Sequence, residues 1–129
     1  MREILFRGKR EYNGEWVEGH LFQNLYGDYE IRECKIYDND FYIDDYVIIP
    51  ETIGQYTGLT DKNGKKIFEG DIVKDCYGEV ELCYYHEEKY RLIFDATHFI
   101  RELEVANGVE CEVIGNIHDN PELIGDETN

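Results

Sequence analysis

The stretch from residue 53 to residue 73 reads IGQYTGLTDKNGKKIFEGDIV. Asn63-Gly64 stands near its middle, between two segments of strand-like composition, Gln55–Leu59 and Lys65–Phe68. Because Asn-Gly supplies positive φ angles at both central residues of a two-residue turn, this stretch predicts a tight β-hairpin. Glu69-Gly70-Asp71 then predicts a sharp bend into the apolar strand that follows, since glycine has no Cβ where strands cross closely.

Two further Asn-Gly pairs predict two more hairpins by the same argument. The first, Asn13-Gly14, joins Arg2–Tyr12 to Glu15–Phe22, and the second, Asn107-Gly108, joins Glu102–Val105 to Val109–Ile114. Three hairpins in a chain of this length indicate an antiparallel β architecture.

The remaining segments agree with a mostly β fold. Alternating apolar and polar residues predict strands at Val80–Tyr84 and Lys89–Phe94. The short apolar run Tyr46–Ile49 is typical of a strand buried on both faces. Only two segments favour short helices, Ala96–Leu103 and Pro121–Ile124. The predicted fold is therefore a set of antiparallel hairpins with one or two short helices.

Length and charge limit the possible functions. The chain has 129 residues and a formal net charge of −16, which suits one domain or two very small ones. A generic nucleic-acid binder needs cations against phosphates, so direct nucleic-acid binding is disfavoured. No apolar run reaches the roughly 18–20 residues of a membrane span, and the first residues lack the apolar core of a signal peptide. We expect a cytoplasmic protein with reduced thiols.

No catalytic residue, metal site or cofactor site is predicted. The four cysteines include no CxxC pair. The segment Gly58–Lys66 departs from the phosphate-binding loop in its spacing and lacks the hydroxyl residue. Four aspartates suggest a cation site but lack the glycine and glutamate of a calcium loop, so a solvated acidic loop is expected. They are Asp38, Asp40, Asp44 and Asp45.

Acidic and aromatic residues in the second half suggest a partner-binding surface. On a strand, Glu79 and Glu81 share one face, and the apolar residues that alternate with them share the other. If the apolar face is the core, the two carboxylates point outward. Tyr84, Tyr85 and Tyr90 could extend this surface on neighbouring strands, although core packing with outward hydroxyls is the alternative.

Residues 53–73 closely resemble the signature of the YopX family, small proteins of bacteriophages and of prophages in Gram-positive bacteria. The opening MREILFRG, residues 1–8, and the closing VIGNIHDNPEL, residues 113–123, are similar to the ends of that family. The resemblance implies a compact β-rich protein with a C-terminal half similar to an SH3-like barrel, and no established enzymatic activity. A structural role is expected for Gly54, Gln55, Tyr56, Thr57, Gly58, Leu59, Asp61, Asn63, Gly64, Glu69, Gly70, Asp71, Gly115, Asn116 and Pro121.

These observations predict an N-terminal β-hairpin region over residues 1–52, an SH3-like barrel over 53–124 and a flexible tail over 125–129. We expect a phage or prophage accessory protein that is not an enzyme and binds a protein partner, either a basic surface or its own copies as a homo-oligomer. An acidic decoy that mimics DNA and occupies a DNA-binding protein is the first alternative. An enzyme of unrecognised class is the second.

Overall fold

The computed structural model describes residues 4–86, 89–94, 100–102 and 111–125. These residues are mostly β, in antiparallel sheets, which confirms the predicted fold class. The helical content of the described residues consists of two 3-10 turns, and none of their helices is long and apolar enough to cross a membrane. The chain divides into two compact units, Met1–Tyr56 and Thr57–Asn129.

Unit one is an antiparallel sheet. Its elements are β1 (Phe6–Lys9), β2 (Trp16–Gln23), β3 (Tyr29–Tyr37), β4 (Asp40–Val47), a 3-10 turn (Pro50–Thr52) and the beginning of β5 (Gly54–Thr60). The strand order is β4-β3-β2-β1-β5, so β4 forms an edge of the sheet. Ile31 and Ile48 are the fully buried side chains of this unit. A Cβ on Gly8 would collide with the Ile48 side chain, so β1 can pass over this core only with glycine at that position.

Unit two contains the end of β5 and a second antiparallel sheet. The further elements of unit two are β6 (Lys66–Phe68), β7 (Asp71–Lys74), β8 (Val80–His86), β9 (Lys89–Phe94), β10 (Ile100–Glu102), β11 (Glu112–Asn116) and a 3-10 turn (Pro121–Ile124). Strand β6 pairs with β5. The other five strands form the second sheet in the order β10-β9-β8-β7-β11, which is open within the described residues. Ile67, Val73, Cys83 and Cys111 form the buried cluster of unit two.

The hairpin turns differ from the predicted geometry. At Asn63-Gly64 only Gly64 has a positive φ, +83°, and the same holds for Gly14 in the first hairpin. The loop between β5 and β6 is longer than two residues, because Asp61 and Lys65 close it through a backbone hydrogen bond of 2.8 Å. A turn with positive φ at both central residues does occur, at Asp38-Asn39, with φ angles of 52° and 69°.

That turn joins β3 to β4 and overturns the predicted acidic loop. Tyr37 pairs with Asp40 directly across it, as in a two-residue hairpin connection. Of the four aspartates assigned to a loop, only Asp38 lies in a turn, and the other three lie on β4. The prediction of a doubly buried strand at Tyr46–Ile49 is also wrong, because Val47 is exposed.

The helix predictions have mixed outcomes. Pro121–Ile124 is helical, as predicted, in the form of a 3-10 turn. Ile100–Glu102 is β10, so a helix over Ala96–Leu103 is wrong for those three residues, and the rest of that segment lies outside the described residues. The third Asn-Gly pair, at residues 107 and 108, also lies outside them.

Candidate functional site

The side chain of Asp61 organises the residues of the family motif in unit two. Its carboxylate is buried and accepts three backbone hydrogen bonds, from Asn63 at 2.8 Å, Lys65 at 2.9 Å and Val113 at 2.9 Å. Burial raises the pKa of Asp61, but the three N–H donors lower it by more, so its pKa lies below the ordinary value. One carboxylate therefore holds the β5–β6 turn and the start of β11.

The same five-residue turn occurs at two other hairpins. Asp75 accepts N–H bonds from the residues two and four positions later, Tyr77 and Glu79, each at 2.9 Å. Asn24 accepts the equivalent bonds, from Tyr26 and Asp28 at 2.9 and 3.0 Å. In all three turns a glycine with positive φ stands three positions after the Asp or Asn. The motif turn is thus a general structural device of this chain.

Gly70 and Asp71 form the predicted bend between β6 and β7. Gly70 has a φ of +96°, its N–H donates to the carbonyl of Cys83, and its carbonyl accepts from Ile117, both at 2.8 Å. Asp71 is buried, and its carboxylate accepts the N–H of Phe68 at 2.8 Å. This bend is held by long-range backbone bonds, so its sequence serves the fold.

The closing motif also forms a self-contained turn. Asn116 ends β11, and its side-chain oxygen accepts the N–H groups of His118 and Asp119 at 3.0 and 2.9 Å. Asn120 returns the interaction, because its side-chain oxygen accepts the N–H of Asn116 at 3.2 Å. A Cβ on Gly115 would lie 2.6 Å from that oxygen, so the turn requires glycine there.

The other motif residues lie along β5. Thr57 is buried, and its hydroxyl donates to the carbonyl of Ile67 at 2.8 Å. Tyr56 is also buried, and its N–H donates to the carbonyl of Leu5. The remaining motif residues of this strand are Gly54, Gln55, Gly58 and Leu59. None of these contacts presents a reactive group, and in the described residues no group of three His, Cys, Asp or Glu could hold a metal ion.

The predicted partner surface in unit two is not assembled as expected. Glu81 is fully buried, at 0% exposure, so the prediction that its carboxylate points outward is wrong. Its cross-strand partner Val73 and its same-face neighbour Cys83 belong to the buried cluster of unit two, so Glu81 lies on the core side of β8. Glu79 is exposed and Tyr84 is half-buried. Tyr85 pairs with Tyr90 in the register of β8 and β9, and their side chains lie outside the described part.

The β3–β4 hairpin of unit one carries an exposed apolar surface that was not predicted from the sequence. Cys34 pairs with Ile43, and Ile36 pairs with Phe41, so these four side chains share one side of the hairpin. We call them the apolar hairpin face. Ile36, Phe41 and Ile43 are 71%, 63% and 51% exposed, and Cys34 is an exposed free thiol. Ile31 is buried on the opposite side of β3, so this face points away from the core.

The opposite side of the hairpin combines tyrosines with acids. The rings of Tyr37 and Tyr42 lie 5.8 Å apart and tilted by 52°, an attractive aromatic arrangement. Asp40 and Asp44 lie on the same side, are exposed, and form no ion pair with any described residue. Two carboxylates that have no counter-ion among the described residues therefore flank Tyr42 along the edge strand.

Four other charged residues of the hairpin form two ion pairs with one another. Arg32 donates to both carboxylate oxygens of Asp45, at 2.8 and 3.0 Å, and this bidentate contact lowers the pKa of Asp45. Lys35 contacts Glu33 at 3.3 Å, and its pKa is raised by that hydrogen bond. The free negative charge of β4 is thus concentrated on Asp40 and Asp44.

Comparisons with known proteins cover nearly the whole length of the chain. The family model described as YopX protein matches residues 5–125. The chain belongs to the YopX family. The crystal structure of protein EF1440 from Enterococcus faecalis is similar, with a TM-score of 0.63 and 26% sequence identity over 96% of this chain and 99% of that chain. No curated protein matches the chain.

In this YopX-family chain, the motif residues and the exposed hairpin are separate features. The motif residues make turns, bends and strand contacts. The apolar hairpin face is exposed and lies in a segment without a motif residue. A clue was available in the sequence: Asp38-Asn39 can adopt left-handed geometry and stands between strand-like segments.

Proposed function

We propose that the chain is a non-enzymatic accessory protein of a phage or prophage that binds a protein partner through the β3–β4 hairpin. The observation that carries the proposal is the apolar hairpin face, with Ile36, Phe41 and Ile43 each more than half exposed. Contiguous exposed apolar residues mark interaction sites. Their burial by a partner contributes a favourable free energy of about 25 cal/mol per Å² of apolar surface removed from water.

We also propose a cellular location for the protein, the cytoplasm of the bacterial host. We also infer that unit two is a small barrel of the SH3-like type, a conclusion supported by five antiparallel strands in the order β10-β9-β8-β7-β11 and by the bend at Gly70. In this proposal the barrel has a structural role, and unit one carries the partner-binding surface.

Affinity capture from infected host cells tests this function. The bait is the full chain, compared with the double variant Phe41→Ser/Ile43→Thr. Leu25→Ser is the matched control, because Leu25 is a fully exposed apolar residue of the same unit in the β2–β3 turn. We expect a protein that the wild type and Leu25→Ser retain and the double variant loses.

Two results would contradict the proposal. Equal retention by all three baits would show that the apolar hairpin face is not the contact surface. Turnover of a substrate by the purified chain, sensitive to a substitution in either unit, would contradict the non-enzymatic assignment.

A further inference from the structure

The backbone of β4 offers unused hydrogen-bonding groups at the edge of the sheet. The N–H of Ile48 donates to the carbonyl of Tyr29 on β3, at 2.9 Å. In an antiparallel ladder such bonded pairs alternate, so even-numbered residues of β4 direct their backbone groups to β3 and odd-numbered residues direct theirs away. The carbonyl of Val47 confirms this alternation, because it accepts the N–H of Glu11 from the outer side.

Between the Asp38-Asn39 turn and Val47, the backbone N–H and C=O groups that point away from β3 belong to Phe41, Ile43 and Asp45. No described residue pairs with β4 at these positions, and β4 ends the strand order. The edge is therefore open along the same residues that carry two side chains of the apolar hairpin face. An open edge of this length is a template for an added strand.

We infer that β4 binds an extended segment of a partner protein as an added antiparallel strand, with alternating apolar and basic residues. Apolar residues of that segment lie across from Phe41 and Ile43, and its basic residues lie beside Asp40 and Asp44 on the other face. The alternation follows from the geometry of a strand, whose neighbouring side chains point to opposite faces. This inference rests on the proposed function and specifies how the partner is held.

Charge favours a basic segment over a second copy of this chain. When two antiparallel copies of β4 pair around Asp44, that carboxylate meets its own equivalent, and pairing around Tyr42 places Asp40 opposite Asp44. Pairing around Ile43 avoids like charges directly opposite each other but leaves both carboxylates without a counter-ion across the new pair of strands. Like charges directly opposite each other destabilise a sheet. The formal net charge of −16 on each copy adds a long-range repulsion. A basic strand meets none of these penalties and gains contacts with two unpaired carboxylates.

A dye-labelled heptapeptide of alternating valine and lysine, beginning and ending with valine, is the probe. Its binding to the full chain is followed by fluorescence anisotropy. N-methylation of two valine amides removes two donors that point at β4 and should weaken binding on the order of ten-fold, because two backbone hydrogen bonds are lost. N-methylation of two lysine amides, which point away, should change binding by less than about three-fold.

Asp44→Lys tests the charge contribution. We expect about five-fold weaker binding and a smaller dependence on salt, as for an exposed ion pair. Asp28→Lys is the matched control, because Asp28 is an exposed aspartate at the opposite end of β3. Its peptide binding should stay close to that of the wild type.

The failures of the two proposals are distinguishable. Equal effects of the two N-methylated peptides, a loss confined to the lysine-methylated one, or no binding of the unmodified peptide would overturn strand addition. Loss of a captured protein by Phe41→Ser/Ile43→Thr would then still support protein binding. A wild-type dimer that Phe41→Ser abolishes in sedimentation would assign the edge to a second copy and would also overturn the inference.

Discussion

The carboxylate of Asp61 accepts the backbone N–H of Val113 at 2.9 Å, although the two residues are 52 positions apart. The same carboxylate accepts two N–H groups within its own turn. The last strand of unit two is therefore fixed to the β5–β6 hairpin by a charged acceptor with little exposure to water. Removal of a buried acceptor of this kind lowers the free energy of unfolding, because its N–H donors then lose their partner.

Asp61→Asn is expected to separate the local contacts from the long-range one. Asn24 makes the same turn with an amide, so the two local bonds should survive in the variant. The amide nitrogen, however, cannot accept the N–H of Val113. We expect a loss of about 1–3 kcal/mol in the free energy of unfolding by urea. The exposed control Asp28→Asn should change it by less than about 0.5 kcal/mol, and equal effects would contradict the assignment.

The pH dependence of stability provides a second test of Asp61. Its pKa is lower in the folded chain than in the unfolded one, so the stabilisation is present above the unfolded value of about 3.9. It is lost as the pH falls through the lower folded pKa. Urea unfolding of the wild type and Asp61→Asn should therefore show a difference at pH 7 that shrinks below about pH 4. A difference that is constant from pH 7 to pH 3 would exclude this linkage.

The β5–β6 turn depends on the backbone conformation of Gly64. Its φ is +83°, and no atom lies within 4 Å of an added Cβ, so any penalty comes from the backbone alone. Gly64→Val should lower the urea midpoint by an amount equivalent to about 1–3 kcal/mol. Gly64→Asn should retain most of the stability, because asparagine tolerates the left-handed region. Equal losses for the two variants would point to another cause.

Two of the hairpin turns of this fold were predictable from the sequence. Asn13-Gly14 and Asn63-Gly64 mark two hairpins, because glycine with positive φ is needed wherever these loops reverse. The loop length was not predictable from the dipeptide. At Asn63-Gly64 the side chain of Asp61 closes a wider turn, and only Gly64 adopts the left-handed conformation.

The two surfaces were not predictable, for opposite reasons. The alternation of apolar and polar residues on β8 predicts that Glu81 points outward. The structure instead buries the face of this strand that carries Glu81 and Cys83. The alternation pattern assigns charged residues to the exposed face, so it cannot predict a buried carboxylate. On β4, exposure of both faces removes the alternation altogether, so three aspartates on the strand were assigned to a loop. Tertiary packing buries Glu81 on β8, and the absence of such packing leaves both faces of β4 exposed.

Substitutions in the apolar hairpin face should leave the fold intact. Phe41→Ser/Ile43→Thr exchanges exposed side chains that contact solvent, so the free energy of unfolding should change by less than about 1 kcal/mol. Ile31→Ala, on the buried side of β3, should lose about 2–5 kcal/mol. Urea unfolding followed by the fluorescence of Trp16, in the same unit, reports both. A large loss in the double variant would mean that these side chains serve the core.

Amide hydrogen exchange, measured residue by residue by NMR on the free chain and on its complex with the valine–lysine peptide, tests the hairpin surface most directly. We expect slower exchange on binding for the outward N–H groups of Phe41, Ile43 and Asp45. Exchange should change little for Tyr42 and Asp44, whose N–H groups already point to β3. Protection confined to residues 79–84 of unit two, or equal protection of all five amides, would contradict strand addition at β4.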